Sequence, residues 1–268
     1  MKYGFIGTGC MGGALAIACA KAIGPDDILL SNRSPEKAQA LAEKLGAIPA
    51  DNETITRDCD VIFLGVKPQT MAQMLLPLQP ILTGRRTPFV LVSMAAGVTI
   101  EALQDMAGGR YPVVRIMPNT ACAVGAGMTT YTCSAEVTDR QRQAVLDALA
   151  ASGLLEEIEE GLMGAASAVA GCGGAFACLF LEGLADGGVL CGLPRKKAQR
   201  MAAQMLLGMA TQALESDEHT GALKDAVCSP AGSTIAGIRK LESMSFRSAA
   251  MEAVIAAWER EREMQQQK

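Results

Sequence analysis

Residues 2–23, "KYGFIGTGCMGGALAIACAKAI", leave few folds open. A short apolar run, "KYGFI", passes through glycines at 7, 9 and 12 and re-emerges as a helix of small side chains suited to lie close on a sheet. In that strand-turn-helix setting the G-x-G-x-x-G pattern lets backbone approach a pyrophosphate that rests on the helix N-terminus. The same residues carry a Lys, an apolar run and an A-x-A ending at Ala20, the outline of a secretory signal. Gly4, Gly7, Gly9, Gly12 and Gly13 make a poor apolar helix, and the nucleotide turn is the better reading.

The alternation continues through "DVIFLGV" and a helix after Lys67-Pro68-Gln69, "FVLVSMAAGV" and a helix from Thr99, "PVVRIMP", and "GMTTYTC" with a helix through Ala150. Uninterrupted Val, Ile, Leu and Phe runs predict strands buried on both faces, hence a doubly wound, mainly parallel α/β sheet. Ligands of such sheets bind outside the carboxyl ends of the strands, so the loops of interest are 66–69, 93–97 and 115–121. Lys67 and Asn119 are their polar candidates for a ligand role; an ordinary surface lysine and an Asx turn would explain them equally well. The strand "DILLS" ends in Ser31-Asn32-Arg33-Ser34, with no carboxylate for a ribose 2'-hydroxyl and a guanidinium for a 2'-phosphate; NADPH is expected over NADH. Ser34, before Pro35 and Glu36, also fits an ordinary helix N-cap.

From Glu160 onward the pattern is helical, which divides the chain into an NAD(P)-binding domain, 1–159, and a helical domain, 160–268. Met201, Met205 and Met209 form one stripe, read as core, and Phe246, Ala250, Val254 and Trp258 form another. Residues 161–181 carry no charge and could span a bilayer by length. Their flanks are glutamates with no Lys or Arg, and "GCGG" interrupts the middle, so a helix buried between two chains is expected instead. The polar tail after Trp258 is expected to fray. "VCSPAGSTIAGI" (227–238) interrupts the helices with a loop that offers backbone amides and hydroxyls. His219, the single histidine, reads as a solvated or capping residue.

Net charge is -4 with Lys and Arg scattered, which gives no basic face for nucleic acid. Nine cysteines, an odd number without C-x-x-C spacing, point to reduced thiols in a cytoplasm and to neither zinc nor a disulfide frame.

Taken in order, "GFIGTGCMGGAL", "FLGVKPQ", "SMAAGVTI", "RIMPNTA", "AGCGGAFACLFLEGLADGGVLCGLP" and "KDAVCSPAGSTIAGI" resemble the pyrroline-5-carboxylate reductase family through nearly the whole chain. The resemblance implies a Rossmann domain followed by an all-α dimerisation domain, in a cytoplasmic homodimer or a higher ring of dimers. It implies hydride transfer from NADPH, with NADH possible, to the C=N bond of 1-pyrroline-5-carboxylate, giving L-proline in the last step of proline biosynthesis. A protonated imine is already electrophilic, so the protein has mainly to hold donor and acceptor face to face.

By the same resemblance, the cofactor residues are Gly7, Thr8, Gly9, Cys10, Met11, Asn32, Arg33, Ser34, Asn52, Val66, Lys67, Pro68, Met94, Ala95 and Ala96. The substrate residues are Asn119, Cys172, Gly173, Ser229, Gly232, Ser233 and Thr234, with Thr234 hydrogen-bonding the ring nitrogen or carboxylate and Ser233 in support, in a site shared between two chains. The chain departs from the family's usual G-S-G-P-A-Y at Gly171–Phe176 and from S-P-G-G at Ser229–Gly232, where Ala231 stands third. Substrate identity is therefore open to a related cyclic imine. A hydroxyacid dehydrogenase of similar build would carry a Lys in 161–181, which has none. A non-catalytic regulator that binds NADPH and a dimeric scaffold with a vestigial glycine loop are rivals from different classes.

Overall fold

The computed structural model describes residues 1–266. The apolar runs form strands β1 (Tyr3–Ile6), β2 (Ile28–Ser31), β4 (Val61–Leu64) and β5 (Val90–Ser93), buried at every position. With β3 (Ile48–Pro49), β6 (Val113–Pro118), β7 (Gly127–Cys133) and β8 (Gly153–Glu157) they make an eight-stranded sheet in the order β3-β2-β1-β4-β5-β6-β7-β8. Every neighbouring pair is parallel except β6 and β7. Sequence periodicity did not indicate β3 or β8. Both lie at sheet edges and keep exposed positions, so neither needs the apolar run that marks a central strand.

Helices α1 (Cys10–Ile23), α2 (Pro35–Leu45), α3 (Asn52–Asp58), α4 (Pro68–Leu75), α5 (Gln79–Gly84), α6 (Ile100–Ala107) and α7 (Asp139–Leu149) follow the strands. Alternate strand residues bury into two layers: Phe5, Leu30, Phe63 and Val92 with Leu15 and Val145 on one face, Ile6, Ile62, Leu64 and Leu91 with Met71 and Leu103 on the other. Phe5 and Phe63 stack at 4.3 Å across β1 and β4. The tightest approach lies at the carboxyl ends of those two strands. A Cβ built at Gly12 or at Gly65 would overlap the Gly7 carbonyl oxygen, and Gly7 itself has φ +97°, a conformation L side chains rarely adopt.

Further along come α8 (Met163–Ala166), α9 (Gly173–Leu190), α10 (Arg195–Glu215), α11 (Thr220–Ala226), α12 (Ser233–Ser243) and α13 (Phe246–Gln266). The chain packs as two compact units, one of Met1–Gly171 together with the residues from Trp258 on, the other Cys172–Ala257. The single helix expected over 161–181 is broken: a 3-10 turn, Glu160–Leu162, leads into α8, then a π-turn, Ser167–Gly171, precedes α9. Gly171, Gly173 and Gly174 hold a helix weakly, and the Asn119 side chain captures the Ala170 carbonyl there.

Two other expectations are corrected. Met201 is 56% exposed and Met205 is exposed as well, while Ala198 and Ala202 are the buried residues of α10, so the methionine stripe is not core in one chain. The polar tail after Trp258 does not fray over the described residues: α13 continues to Gln266, Arg262 stacks on the Trp258 ring at 4.9 Å and Glu261 is buried. Residues 267 and 268 lie outside the described residues.

The crowding at Gly7 predicts that Gly65→Ala destabilises the chain by about 1–3 kcal/mol, the usual penalty of forced overpacking. Urea unfolding would measure it; a wild-type midpoint and slope would show that the backbone yields without cost.

Candidate functional site

Six helix starts in the first unit, those of α1–α4, α6 and α7, divide into two groups. Asp51 caps α3 through Thr54 N at 2.7 Å, Thr99 caps α6 through Ala102 N at 3.2 Å, and Thr138 with Gln141 forms a capping box on α7. The helices after β1, β2 and β4 have no side-chain cap, with Gly9, Ser34 and Lys67 at their N-cap positions. Ser34 thus occupies the cap position expected of it, but its hydroxyl does not cap. The first-turn amides of α1 and α4 are left to solvent or to an anion, which the positive helix end favours.

A cleft of about 690 Å³ lies at these ends, lined by Gly7, Gly9, Asn32, Arg33, Ser34, Asn52, Val66 and Lys67. Through Asn32, Arg33 and Asn52 it adjoins a second cavity of about 780 Å³ over Ser31, Pro35 and Ala50. Asn32 braces the loop after β2: its Nδ2 donates to Thr8 Oγ1 at 3.1 Å, and its Oδ1 accepts the Ser34 amide at 3.2 Å. Ser31 Oγ donates to Asn52 Oδ1 at 2.5 Å. Arg33 is exposed and forms no ion pair among the described residues. A Cβ at Gly9 would meet no protein atom within 4 Å, so packing does not require glycine there; the open side faces the space a ligand needs.

The structure therefore gathers most of the expected cofactor residues on one cleft. Cys10 and Met11 begin α1, and Pro68 begins α4. Met94, Ala95 and Ala96 follow β5 and are not among the residues lining this cleft; Ala95 is buried and its amide donates to Ser93 Oγ at 3.3 Å. Lys37, Gly65, Thr70, Gln73 and Met74 also line it and were not anticipated.

The loop assigned to 115–121 is in part strand, since β6 runs through Pro118. Asn119 makes an Asx turn, its Oδ1 accepting the amides of Ala121 at 3.2 Å and Met128 at 3.3 Å. Its Nδ2 donates to Ala170 O in the π-turn at 3.0 Å. Arg115, whose side chain was given no role, is buried within β6 and paired with Glu160 at 3.0 Å. Burial pushes the neighbouring Glu261 carboxyl above the ordinary range, against the pull of Ser167 and Arg115.

In the second unit, Cys172 precedes α9 and is exposed, and Gly173 is the first residue of that helix. Ser229–Gly232 form a turn closed by Gly232 N on Ser229 O at 3.0 Å, with Pro230 second and Ala231 third at φ +56°. Positive φ at the third position of a turn with Pro at the second is the type II pattern, which favours Gly. Ala231, where the resemblance expects Gly, thus sits in the left-handed region. A Cβ at Gly232 would overlap Ser229 Oγ, so a larger residue there would require that hydroxyl to turn away. Ser233 and Thr234 open α12 with Gly232 at the N-cap and no side-chain cap, so both hydroxyls are exposed and uncommitted to capping. His219 caps α11, its Nδ1 accepting the Gly221 amide at 3.0 Å.

Residues 160–264 match the family described as pyrroline-5-carboxylate reductase dimerisation, and residues 2–97 match NADP oxidoreductase, coenzyme F420-dependent. Over 266 residues the chain is 40% identical to a pyrroline-5-carboxylate reductase of Methanosarcina acetivorans, covering 98% of this chain and 97% of that one. It is 38% identical over 262 residues to the Escherichia coli K12 protein of the same name, covering 97% and 96%. The Plasmodium falciparum pyrroline carboxylate reductase crystal structure with NADP bound superimposes with a TM-score of 0.87 at 33% identity, covering 99% of this chain and 98% of that one.

Two expectations follow from this geometry. Ala231→Gly should stabilise the chain by up to about 1 kcal/mol, the left-handed cost of roughly 1–2 kcal/mol less the extra freedom of Gly when unfolded; an unchanged or lower unfolding midpoint would show the turn unstrained. Because the folded chain holds the Glu261 proton more tightly than the unfolded one, this contribution is full below the ordinary glutamate value of 4.5 and is lost as pH rises through the folded value. Stability relative to Glu261→Gln should accordingly fall with pH above about 4.5 in denaturant titrations. Parallel curves would contradict it.

Proposed function

The chain belongs to the pyrroline-5-carboxylate reductase family, and from that premise we propose how its residues divide the work of reducing 1-pyrroline-5-carboxylate to L-proline with NADPH. The observation that carries the assignment is the convergence of the glycine turn, the Asn32–Ser34 loop and the Val66–Lys67 loop on one cleft with free helix amides.

NADPH fits this cleft, because Gly9 leaves room beside uncapped amides and Arg33 stands free for a 2'-phosphate. When bound it supplies the hydride. The amides at Cys10 and Met11 hold the pyrophosphate, and Asn32, Arg33, Ser34 and Asn52 hold the adenosine end. Val66, Lys67 and Pro68, with Met94–Ala96, fix the other half of the dinucleotide. The turn Ser229–Gly232 and the start of α12 receive the substrate carboxylate, with Thr234 as direct donor and Ser233 beside it; Asn119, Cys172 and Gly173 border the substrate. No acid-base pair is required, since the protonated imine arrives electrophilic and the chain has only to orient it and exclude water.

The protein is a homo-oligomer. Residues Glu160–Leu190 are long and apolar enough, by length and composition, to cross a membrane. We read the exposed Leu179, Leu190, Met201 and Leu207 instead as the face that meets a second chain. A dimer, built further into a ring of dimers, a cytoplasmic location without membrane or nucleic-acid partner, and a functional boundary between 159 and 160 complete the proposal.

With purified protein and 1-pyrroline-5-carboxylate, loss of reduced-nicotinamide absorbance should be faster with NADPH than with NADH. Arg33→Ala should raise KM for NADPH about tenfold and leave NADH use little changed, as loss of one charge-assisted hydrogen bond implies. Thr234→Ala should act chiefly on the imine. Gly9→Ala should unfold within about 0.5 kcal/mol of wild type yet lose NADPH. NADPH binding without turnover on this or any cyclic imine would sink the reductase assignment.

A further inference from the structure

Arg115 is the charged residue of β6, and it is 2% exposed. A guanidinium so buried is tolerated only with partners. Its Nη1 donates to Glu160 Oε1 at 3.0 Å, and the same oxygen accepts the amide of Ile100, the first residue of α6, at 2.7 Å. Thr99 satisfies only the Ala102 amide, so the carboxylate of Glu160 reaches an α6 terminus that local sequence leaves incomplete. One oxygen thus joins a strand that leads into Asn119 to a helix that follows the loop Met94–Ala96.

The surroundings enclose this junction, and Nη1 is the one guanidinium nitrogen of Arg115 that finds a partner; Nε and Nη2 are buried without one. Arg115 pairs in register with Thr132 on β7, and Met117 with Thr130, which places all four on one face of the sheet. The π-turn packs against both strands, and the Asn119 bond to Ala170 O pins it to the end of β6. Beside the π-turn α13 brings Glu261, close enough to Arg115 to be drawn down by its charge, and Trp258, which would touch a Cβ at Gly164. The strand order supplies the functional link. With the pyrophosphate at the turn after β1 and the 2'-phosphate beyond β2, the remaining half of a dinucleotide extends past β4 toward β5 and β6.

We propose that Arg115, acting through Glu160, is a positioning residue for the nicotinamide end of the cofactor: the pair fixes the Met94–Ala96 loop against the end of β6. The proposal rests on the dinucleotide reading of the cleft. Glu160 touches neither cofactor nor substrate in this role. It sets where the first turn of α6 begins, and the loop before that turn inherits its position.

The test compares full-length wild type, Glu160→Ala, Glu160→Gln and Arg115→Lys by kcat and KM for NADPH, NADPH binding by fluorescence without imine, and thermal unfolding. Glu160→Ala should lose roughly tenfold in kcat/KM for NADPH, within the ~10²-fold that a 1 Å misplacement can cost. KM for the imine should change much less. Glu160→Gln keeps the acceptor for both donors and should recover most of the loss. Arg115→Lys keeps the charge but shortens the reach to the Glu160 carboxylate and should show the same pattern in smaller measure. Lowered unfolding temperatures with wild-type kinetics in all three variants would reduce the pair to a structural tie and overturn the proposal, as would failure of Gln to rescue. Should Glu160→Ala not fold, Glu160→Gln and Arg115→Lys decide by the same comparison. If wild type binds NADPH but does not turn over the imine, the reductase reading fails, while NADPH affinity across the variants still decides this one.

Discussion

The carbonyl oxygen of Gly7 lies where β1 ends, α1 begins and β4 passes, and it is crowded by the α-carbons of Gly12 and Gly65. No other residue type fits at those two positions without moving backbone. Because the approach is backbone against backbone, α1 lies low on the sheet, and its small residues Ala14, Ala16, Ala18 and Cys19 are buried there. Low seating brings the α1 N-terminus level with the ends of β2 and β4, so that their loops border one cleft. Gly9 stands beside this packing without taking part in it. The glycine motif therefore contains two kinds of position: Gly7, Gly12 and their partner Gly65 make the turn, and Gly9 leaves it open.

Helix termini then sort polarity across the first unit. Where α3, α6 and α7 start, side chains satisfy the first amides. Where α1 and α4 start, none does. An uncapped terminus costs stability when water alone serves it, and these two ends lie at the cleft, in which an anion would do so better. Glu160 belongs to the opposite arrangement, completing α6 from a distant part of the chain and neutralising Arg115 in the same contact.

The second unit buries little of its own. Ala185, Ala198, Ala202 and Leu223 are its buried apolar residues among those described, and Leu190 is 90% exposed. Gly188 on α9 and Ala198 on α10 allow those helices to pack closely, which leaves their larger side chains turned outward. A helical unit with so small a core gains its stability from a partner, in keeping with the dimerisation family it matches.

The strands of the first half were legible because a strand buried on both faces must be apolar throughout, and the turn after β1 because glycine spacing there has a steric cause. The SNRS loop could be placed at the cleft from strand counting, and the SPAGST segment could be recognised as a loop because its residues suit no helix interior. The edge strands were hidden by partial exposure, the break before α9 by dependence on Asn119 at a distance in sequence, and the exposure of the Met201–Met205 stripe by a spacing that a buried and an exposed face share. Local sequence thus determined which segments are strand, turn or helix and which side chains are available for chemistry, since sterics and hydrogen bonding within a few residues set those choices. Only the tertiary structure decided that Arg115 and Ile100 share one carboxylate oxygen, that Glu261 is buried and that Lys37 borders the cleft, because each depends on the path of backbone that sequence neighbours do not control.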